Sequence, residues 1–257
     1  MGELAKALRK ADRRILILDI ETSPNLAYVF DLWQQGISPG NIREHGQVIC
    51  WAAKWVGEPK VSFASDHHEG HQASIEAAYR LVDEADVIVT YNGLKFDMKH
   101  LRREFLLAEM PPPAPHKDVD LYRVVRERFK FASNKLDHVA SRLEIGEKVK
   151  HAGFDLWRRC MDGDDAAWRE MRRYNTHDVR LTEQLYERLL PWIHNHPHVS
   201  NCDPNELKCN KCGSTDLERS KTYTAVVHQY QSYRCRRCGG MVRAGHIKRI
   251  AQTVGVK

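Results

Sequence analysis

No long hydrophobic run occurs in this sequence of 257 residues, and no apolar stretch approaches the roughly 20 residues that a membrane-spanning helix needs. The first residues, MGELAKALRKADRR, lack the apolar core and the cleavage site of a secretory signal. Internal repeats and low-complexity tracts are also absent, and a composition of 42% apolar and 29% charged residues is typical of a globular chain. The sequence therefore predicts a cytoplasmic protein without a membrane partner.

Acidic residues are scarce at the C-terminal end of the chain. From position 201 onward there are 11 Lys and Arg residues against 4 Asp and Glu residues, whereas the first 200 positions hold 29 basic and 30 acidic residues. The formal net charge of +6 therefore comes entirely from this tail. A basic segment beside a near-neutral body is typical of a protein that meets a polyanion, although a basic tail kept for solubility has the same composition.

The apolar pattern predicts an α/β protein of two domains. A hairpin over QVICWAAKWV and KVSFAS follows the first strand, and strands then alternate with amphipathic helices, which indicates a mixed β-sheet flanked by helices. The larger domain is predicted over residues 1–195. The stretch HNHPHVSNCDPN is interpreted as a linker, and residues 196–257 are predicted to hold this linker and a small second domain.

Two acids end a buried strand in the stretch RRILILDIETSPN. Side chains two positions apart on a strand point to the same face, so Asp19 and Glu21 converge on one place. Two carboxylates this close repel each other unless a positive charge lies between them. An isolated D-x-E is more often a solvated strand end, so its interpretation depends on the other acids of the chain.

Two further acids follow in order along the chain. Asp97 in YNGLKFD enters the first turn of a helix, where an acid also complements the helix dipole. Asp178 in YNTHDV lies one helical turn after Tyr174 on the same face, although pairing with Arg180 or with solvent is an ordinary alternative. Each acid alone is a weak signal, but their order and spacing together are specific.

At these residues the chain resembles the DEDD superfamily of 3′→5′ exonucleases, which have a ribonuclease H-like fold. DIET is similar to the first exonuclease motif, YNGLKFD to the second motif of family B polymerase proofreading domains, and YNTHD to the third motif of the tyrosine subclass. The histidine subclass would need a histidine at the position of Arg173. The segment KLDHVASRLEIGEKVK is also similar to family B exonuclease domains, and the resemblance covers roughly residues 14–190.

The resemblance implies a site with two Mg²⁺ or Mn²⁺ ions for phosphodiester hydrolysis. Asp19 would bridge both ions, Glu21 and Asp178 would bind the ion beside the attacking water, and Asp97 would hold the other ion largely through water. Tyr174 would orient the attacking water. Carboxylate oxygens are the ligands that these cations prefer, and a bound ion would relieve the repulsion between the first two acids.

Contacts with nucleic acid are predicted for three residues of the larger domain. The resemblance implies that Thr22 offers its backbone to the 3′-terminal nucleotide. Asn92 is expected either to bind the nucleic-acid backbone or to cap the helix of Asp97. Lys148, like Lys150, is a candidate phosphate contact with solvated surface as the alternative.

Four aromatic residues of this domain allow two readings, packing or stacking. Tyr28, Phe30 and Trp33 lie in a 24-residue loop after the first motif. Aromatic residues in a loop more often pack it down than stack on bases, and we predict packing here. Phe96, just before Asp97, is likewise predicted to be core.

Four of the seven cysteines form two C-x-x-C pairs in the tail. CNKC and CRRC are separated by 22 residues, of which TYTAVVHQYQSYR is interpreted as strand. Two such knuckles complete a tetrahedral thiolate site, so we predict a zinc ribbon with one structural Zn²⁺ ion. The predicted ligands are Cys209, Cys212, Cys235 and Cys238. Cys50 and Cys160 are predicted to be small buried hydrophobic residues.

The ribbon also carries basic and aromatic residues in numbers that suggest a nucleic-acid surface. The basic residues near the second knuckle are Arg234, Arg236, Arg237, Arg243, Lys248 and Arg249. The aromatic residues are Tyr223, Tyr230 and Tyr233. The alternative is a ribbon that docks on a protein and recruits the chain to a polymerase or another replication protein.

Together these features predict a metal-dependent 3′→5′ exonuclease that releases nucleoside monophosphates from a free 3′ end. DNA is favoured over RNA because the second and third motifs resemble polymerase proofreading domains. The chain would act as a free-standing nuclease or as a proofreading subunit in trans, in DNA replication or repair. The alternatives are an exoribonuclease of the same superfamily and a non-catalytic nucleic-acid-binding protein, although binding alone gains nothing from carboxylates that face phosphates.

Overall fold

The computed structural model of the protein describes residues 4, 8, 12–31, 33, 36–147, 149, 152–200 and 206–249. The strands are β1 (Ile15–Thr22), β2 (Leu26–Ala27), β3 (Ile42–Glu44), β4 (Val48–Trp55), β5 (Ser62–Ser65), β6 (Val87–Thr90), β7 (Lys117–Asp120), β8 (Leu217–Thr224), β9 (His228–Cys235) and β10 (Met241–Arg249). The α-helices are α1 (Asp66–Glu69), α2 (His71–Glu84), α3 (Asp97–Leu107), α4 (Leu121–Arg128), α5 (Leu136–Arg142), α6 (Phe154–Met161) and α7 (Asp165–Leu189).

The main sheet has five strands in the order β5-β4-β1-β6-β7. Strand β1 pairs with β4 in antiparallel and with β6 in parallel orientation, and the outer pairs continue these directions. Because β1 lies at the centre, the run ILIL at its start is 0–3% exposed. The predicted mixed sheet is therefore confirmed, and the doublet Asp19–Glu21 lies at the end of its central strand.

The two faces of β1 pack against different helices. Leu16, Leu18 and Ile20 belong to the hydrophobic cluster formed with α2 and α3. Ile17 belongs to the cluster on the other face, which includes residues of α7. Since side chains alternate along a strand, Asp19 and Glu21 continue the α7 face beyond this core.

The structure differs in several details from the pattern predicted by the sequence. Helices α1, α4 and α6 and strands β2, β3 and β10 were not predicted. Helix α4 begins where the side chain of Asp120 accepts a hydrogen bond from Tyr122 N. The stretch TYTAVVHQYQSYR is a hairpin of β8 and β9 rather than one strand. Ala225 N donates to His228 O at 2.9 Å and closes the turn, which contains no glycine, proline or asparagine to signal it.

The C-terminal strands form a separate sheet in the order β10-β9-β8. The segment predicted as a linker is packed where the structure describes it: His196 is 4% and Val199 0% exposed. Residues 201–205, including Cys202, lie outside the described part of the chain. In that described part, no helix combines the length and the apolar character that crossing a bilayer requires.

Candidate active site and cysteine centre

Asp97 is the acid that joins α3 to the central strand. Its carboxylate is 3% exposed, and Oδ1 accepts a hydrogen bond at 3.1 Å from Ile20 N, the backbone group between Asp19 and Glu21. Burial raises the pKa of Asp97 to about 7, although the hydrogen bond from Ile20 opposes this shift. The second motif thus brings its acid to the backbone of the first.

The turn before Asp97 depends on two special residues and on an acid that sequence reasoning missed. Asn92 adopts a φ of 69°, and a Cβ on Gly93 would lie 2.2 Å from Thr90 Oγ1, so this position excludes any larger residue. Asp120 accepts hydrogen bonds from the backbone N–H groups of Asn92 at 2.9 Å and Leu94 at 3.3 Å. Asp120 therefore orients the loop that delivers Asp97.

Helix α7 supplies the other side of the site. Tyr174 and Asp178 are 7% and 2% exposed, and the phenol forms a side-chain hydrogen bond with Asp178. Burial raises the pKa of Tyr174 far above its usual range, and the negative charges of Glu21, Asp178 and Asp19 raise it further. The phenol is therefore protonated at neutral pH, and all three carboxylates lie close enough to act on it.

Asn175 is a second residue that sequence reasoning missed. It is fully buried, and its Nδ2 donates to Asp19 Oδ2 at 2.7 Å and to Asp19 O at 3.4 Å. The signal was present, because Asn175 lies three residues before Asp178 and hence on the same helical face. This contact fixes the central strand to α7 at the first acid of the site.

At the C-terminal end of β1, Asp97 thus contacts the backbone between Asp19 and Glu21, while Asp19, Glu21 and Asp178 lie near Tyr174. In the described part of the chain, however, no three carboxylates bring their oxygen atoms within 4.8 Å of one another. The chemistry of the donor set, hard carboxylate oxygens that concentrate negative charge around Tyr174, fits Mg²⁺ or Mn²⁺. Asp19, Glu21, Asp97 and Asp178 are the residues that could hold such ions.

The predicted nucleic-acid contacts of this domain lie around the same end of the sheet or outside the described residues. Thr22 ends β1 and pairs with Val48. Asn92 does not cap α3, because the residue at the N-cap is Phe96 and no side chain forms a cap hydrogen bond there. Lys148 and Lys150 lie outside the described part of the chain.

The predictions that the aromatic residues pack into the protein are wrong. Phe96 is 37% exposed beside Asp97, and Tyr28, Phe30 and Trp33 are 67%, 103% and 84% exposed. The loop is instead closed at its base, where β2 pairs with β3 and Ser23 N donates to Gln47 O at 2.9 Å. Backbone pairing orders the base without burying the rings at the tip.

The four cysteines of the tail form a compact cluster. Cys209 Sγ lies 3.7 Å from Cys238 Sγ, Cys212 Sγ lies 3.6 Å from Cys235 Sγ, and all four sulfur atoms are within 4.8 Å of one another. Four sulfur atoms bound to zinc at about 2.3 Å in a tetrahedron lie about 3.8 Å apart, so the cluster fits this ion. The four-cysteine cluster of the prediction is therefore confirmed, and its geometry is compatible with a zinc ribbon.

The cysteine centre packs on the larger domain at the far end of β1. The four cysteines share one hydrophobic cluster with residues at the end of α7. Arg13 N, just before β1, donates to Val199 O, and Val199 N donates to Asn210 O inside the first knuckle. Buried Lys211 donates to Pro191 O at 2.5 Å. The acids and the cysteines therefore lie at opposite ends of the central strand.

The arginines predicted to contact nucleic acid lie on the ribbon surface. Arg234 is exposed and donates to Gly239 O at 3.4 Å, while Arg236 lies 3.5 Å from the carboxylate of Glu218. Arg237, which lies between Arg236 and Cys238 in the sequence, is exposed as well. Cys50 and Cys160, predicted as buried residues, are 0% and 2% exposed. The side chains of Lys248 and Arg249 lie outside the described part.

Comparisons with known proteins agree with this fold. A search of curated proteins found no match. Among solved structures, the chain is similar to the family B DNA polymerase of the hyperthermophilic archaeon Pyrobaculum calidifontis, with a TM-score of 0.54 and 23% identity, over 70% of this chain and 25% of that one. The chain thus spans about a quarter of the polymerase, and the likeness concerns the fold.

A family model described as RNase_H superfamily matches residues 16–190, from the start of β1 to the end of α7. This match contains all four acids and Tyr174, and it supports a nuclease activity in general terms. The resemblance predicted from the three motifs is confirmed at this level. The chain belongs to the RNase_H superfamily.

Proposed function

We propose that this chain is a metal-dependent 3′→5′ exonuclease that hydrolyses phosphodiester bonds from a free 3′ end and releases nucleoside monophosphates, with DNA as the favoured substrate. The observation that supports this most is the hydrogen bond from Ile20 N to Asp97 Oδ1, because it joins the acid of the second motif to the backbone between the two acids of the first. On the other side, Asn175 ties α7 to Asp19. The order of motifs, the fold and these contacts all agree with this activity.

In this proposal the acids bind Mg²⁺ or Mn²⁺, which supply charge neutralisation and a nucleophile at neutral pH when bound. Asp19 would contribute to both ions, Glu21 and Asp178 to the ion on the nucleophile side, and Asp97 to the other. Metal binding needs Asp97 as a carboxylate, and because burial raises its pKa to about 7, binding should strengthen as the pH rises through that value.

Tyr174 orients water in this scheme and does not act as a base. Its pKa lies far above neutral pH, so the hydroxyl keeps its proton and donates it in the hydrogen bond to Asp178. The oxygen lone pairs remain able to accept a hydrogen bond from the attacking water. A general base would need a pKa near the working pH, which burial among carboxylates prevents here.

The second part of the proposal concerns the tail. Residues 1–195 would form the nuclease domain and residues 196–257 the linker and ribbon. The cysteine cluster would hold one structural Zn²⁺ ion and take no part in the reaction, because four thiolates leave no open position on the ion. A cytoplasmic location and a polymerase partner remain predictions from the sequence.

The direct test is a 5′-labelled single-stranded DNA incubated with the protein in Mg²⁺ or Mn²⁺, and again with EDTA. We expect a ladder that shortens from the 3′ end, mononucleotides as the product, and no cleavage with EDTA. An RNA of the same sequence decides between a deoxyribonuclease and an exoribonuclease. Binding without cleavage in either metal would support the non-catalytic alternative and end the proposal.

A further inference from the structure

The ribbon sheet has one face toward the larger domain and one face away from it. Leu217 and Val242 pack against the shared hydrophobic cluster, and they pair with Cys235 and Tyr233 of β9. Residues directly opposite in a sheet share a face, so Tyr233 belongs to the domain-facing side. Side chains alternate along a strand, so Arg234, Ser232 and Tyr230 of β9 belong to the opposite, outward face.

The outward face carries a compact group of two tyrosines and an arginine. Tyr223 of β8 pairs with Tyr230 of β9, and their ring centroids are 6.1 Å apart. The guanidinium carbon of Arg243, on β10, lies 4.2 Å from the Tyr230 ring and 5.8 Å from the Tyr223 ring. Tyr223 is 50% exposed, and Arg243 is exposed as well. The rings are ordered by sheet pairing, with Tyr223 open to solvent and Tyr230 half-buried beside Arg243.

We propose that this outward face, formed by Tyr223, Tyr230 and Arg243, binds single-stranded nucleic acid by stacking bases on the tyrosines. Charge complementarity supports this occupant, because 11 basic residues against 4 acidic ones lie from position 201 onward, whereas the rest of the chain is near neutral. Aromatic rings beside an arginine on an open sheet suit a strand with accessible base faces. The sequence named these three residues within a larger basic and aromatic set, and the sheet brings these three side chains together.

The position of the ribbon adds a length requirement. Its first knuckle is tied to Arg13 through Val199, and Asp19 lies six residues further along the central strand. Six residues of strand span about 20 Å, which equals about six stacked nucleotides of one strand. A strand whose 3′ end lies at the acids must therefore extend well beyond them to reach the ribbon. This length requirement rests on the proposed function.

The test compares strands of about 4 and about 20 nucleotides, lengths chosen below and above this span. Binding is measured by fluorescence anisotropy in the Asp19→Asn background, which prevents cleavage. For the long strand, we expect the double variant Tyr223→Ala/Tyr230→Ala to bind more weakly than its parent, by at least about fivefold for each ring removed. Its cleavage of the short strand, measured without the Asp19 substitution, should be unchanged.

Three further variants separate stacking from other effects. Tyr223→Phe/Tyr230→Phe keeps the rings and should bind the long strand like the unsubstituted chain. Arg243→Ala should reduce the slope of log affinity against log salt concentration by about the amount expected for one phosphate contact. Arg123→Ala, which removes an exposed arginine of α4, should leave this slope unchanged. Zinc content and thermal unfolding of each variant establish that the ribbon is intact.

Equal affinity of the double alanine variant and its parent for the long strand would overturn the proposal. The proposal would also be overturned if the long strand bound no more tightly than the short one. That result would favour a protein partner for this face. Tyrosine-dependent binding without any cleavage would instead remove the exonuclease proposal and leave the binding face standing.

Discussion

The two ends of β1 hold their candidate metal ligands in opposite ways. At the end near Arg13, four sulfur atoms already lie at distances that suit one tetrahedral ion, and the larger domain covers them. At the other end the carboxylates are further apart, and Asp19 and Glu21 remain half-buried. A closed ligand set suits a structural ion, and an open one suits ions that must also bind substrate. The two ends thus differ in the kind of ion that their candidate ligands suit.

Removing a cysteine should produce the largest effect, because it breaks the closed site. Cys235→Ser is expected to abolish zinc binding, and structural zinc contributes on the order of 10 kcal/mol to small modules that depend on it. Since the cysteines share a hydrophobic cluster with α7, we also expect a lower melting temperature for the larger domain. Zinc analysis and calorimetry measure both effects. Cys160→Ala, at a buried cysteine outside the cluster, should keep the zinc.

Substitution of a carboxylate should leave the fold intact and remove activity. Asp19→Asn is expected to lower kcat at least about 1,000-fold, more than the loss of a single hydrogen-bond donor in an active site. The melting temperature without metal should not fall, since the change removes charge from a crowded site. Asp155→Asn, at an exposed acid paired with Arg158, is the matched control. Undiminished metal-dependent turnover in Asp19→Asn would contradict the site.

Acid pH should weaken the cysteine end through His196. Tyr186 Oη lies 2.7 Å from His196 Nε2, and burial lowers the pKa of this imidazole from 6.5 to about 4. Its contribution to stability is complete above pH 6.5 and is lost as the pH falls toward 4, up to about 3 kcal/mol. Denaturant unfolding against pH should show this slope, and His196→Gln should flatten it. His198→Gln in the same segment should retain the slope.

Loss of the Asn175 amide should have the smallest effect of the four. Asn175→Ala removes the donor to Asp19 Oδ2, and such partners of metal ligands typically contribute 10–100-fold to metal affinity. Mn²⁺ titration by calorimetry should show this loss while zinc content stays constant. Thr176→Ala, at the half-buried neighbour, should bind Mn²⁺ normally. An unchanged Mn²⁺ affinity in Asn175→Ala would mean that the contact is only structural.

Local patterns predicted the elements that carry chemistry. The apolar run before Asp19 indicated a buried strand, and the helical spacing of Tyr174 and Asp178 indicated one face of a helix, as the structure shows. Asn175 and Asp120 escaped notice because their roles are contacts across the fold, to Asp19 and to the loop at Asn92. The exposed rings of Phe30 and Trp33 were mispredicted because composition does not show whether a core lies within reach.

The sequence by itself determined which residues are candidate metal ligands and their order along the chain, because strand alternation, helical spacing and C-x-x-C knuckles are local properties. Only the tertiary structure decided where these groups lie relative to one another. Pairing of β1 between β4 and β6 brought Asp97 to Ile20, and packing on α7 placed the cysteines at the opposite end. These arrangements depend on contacts between residues far apart in the chain, and no short-range pattern encodes them.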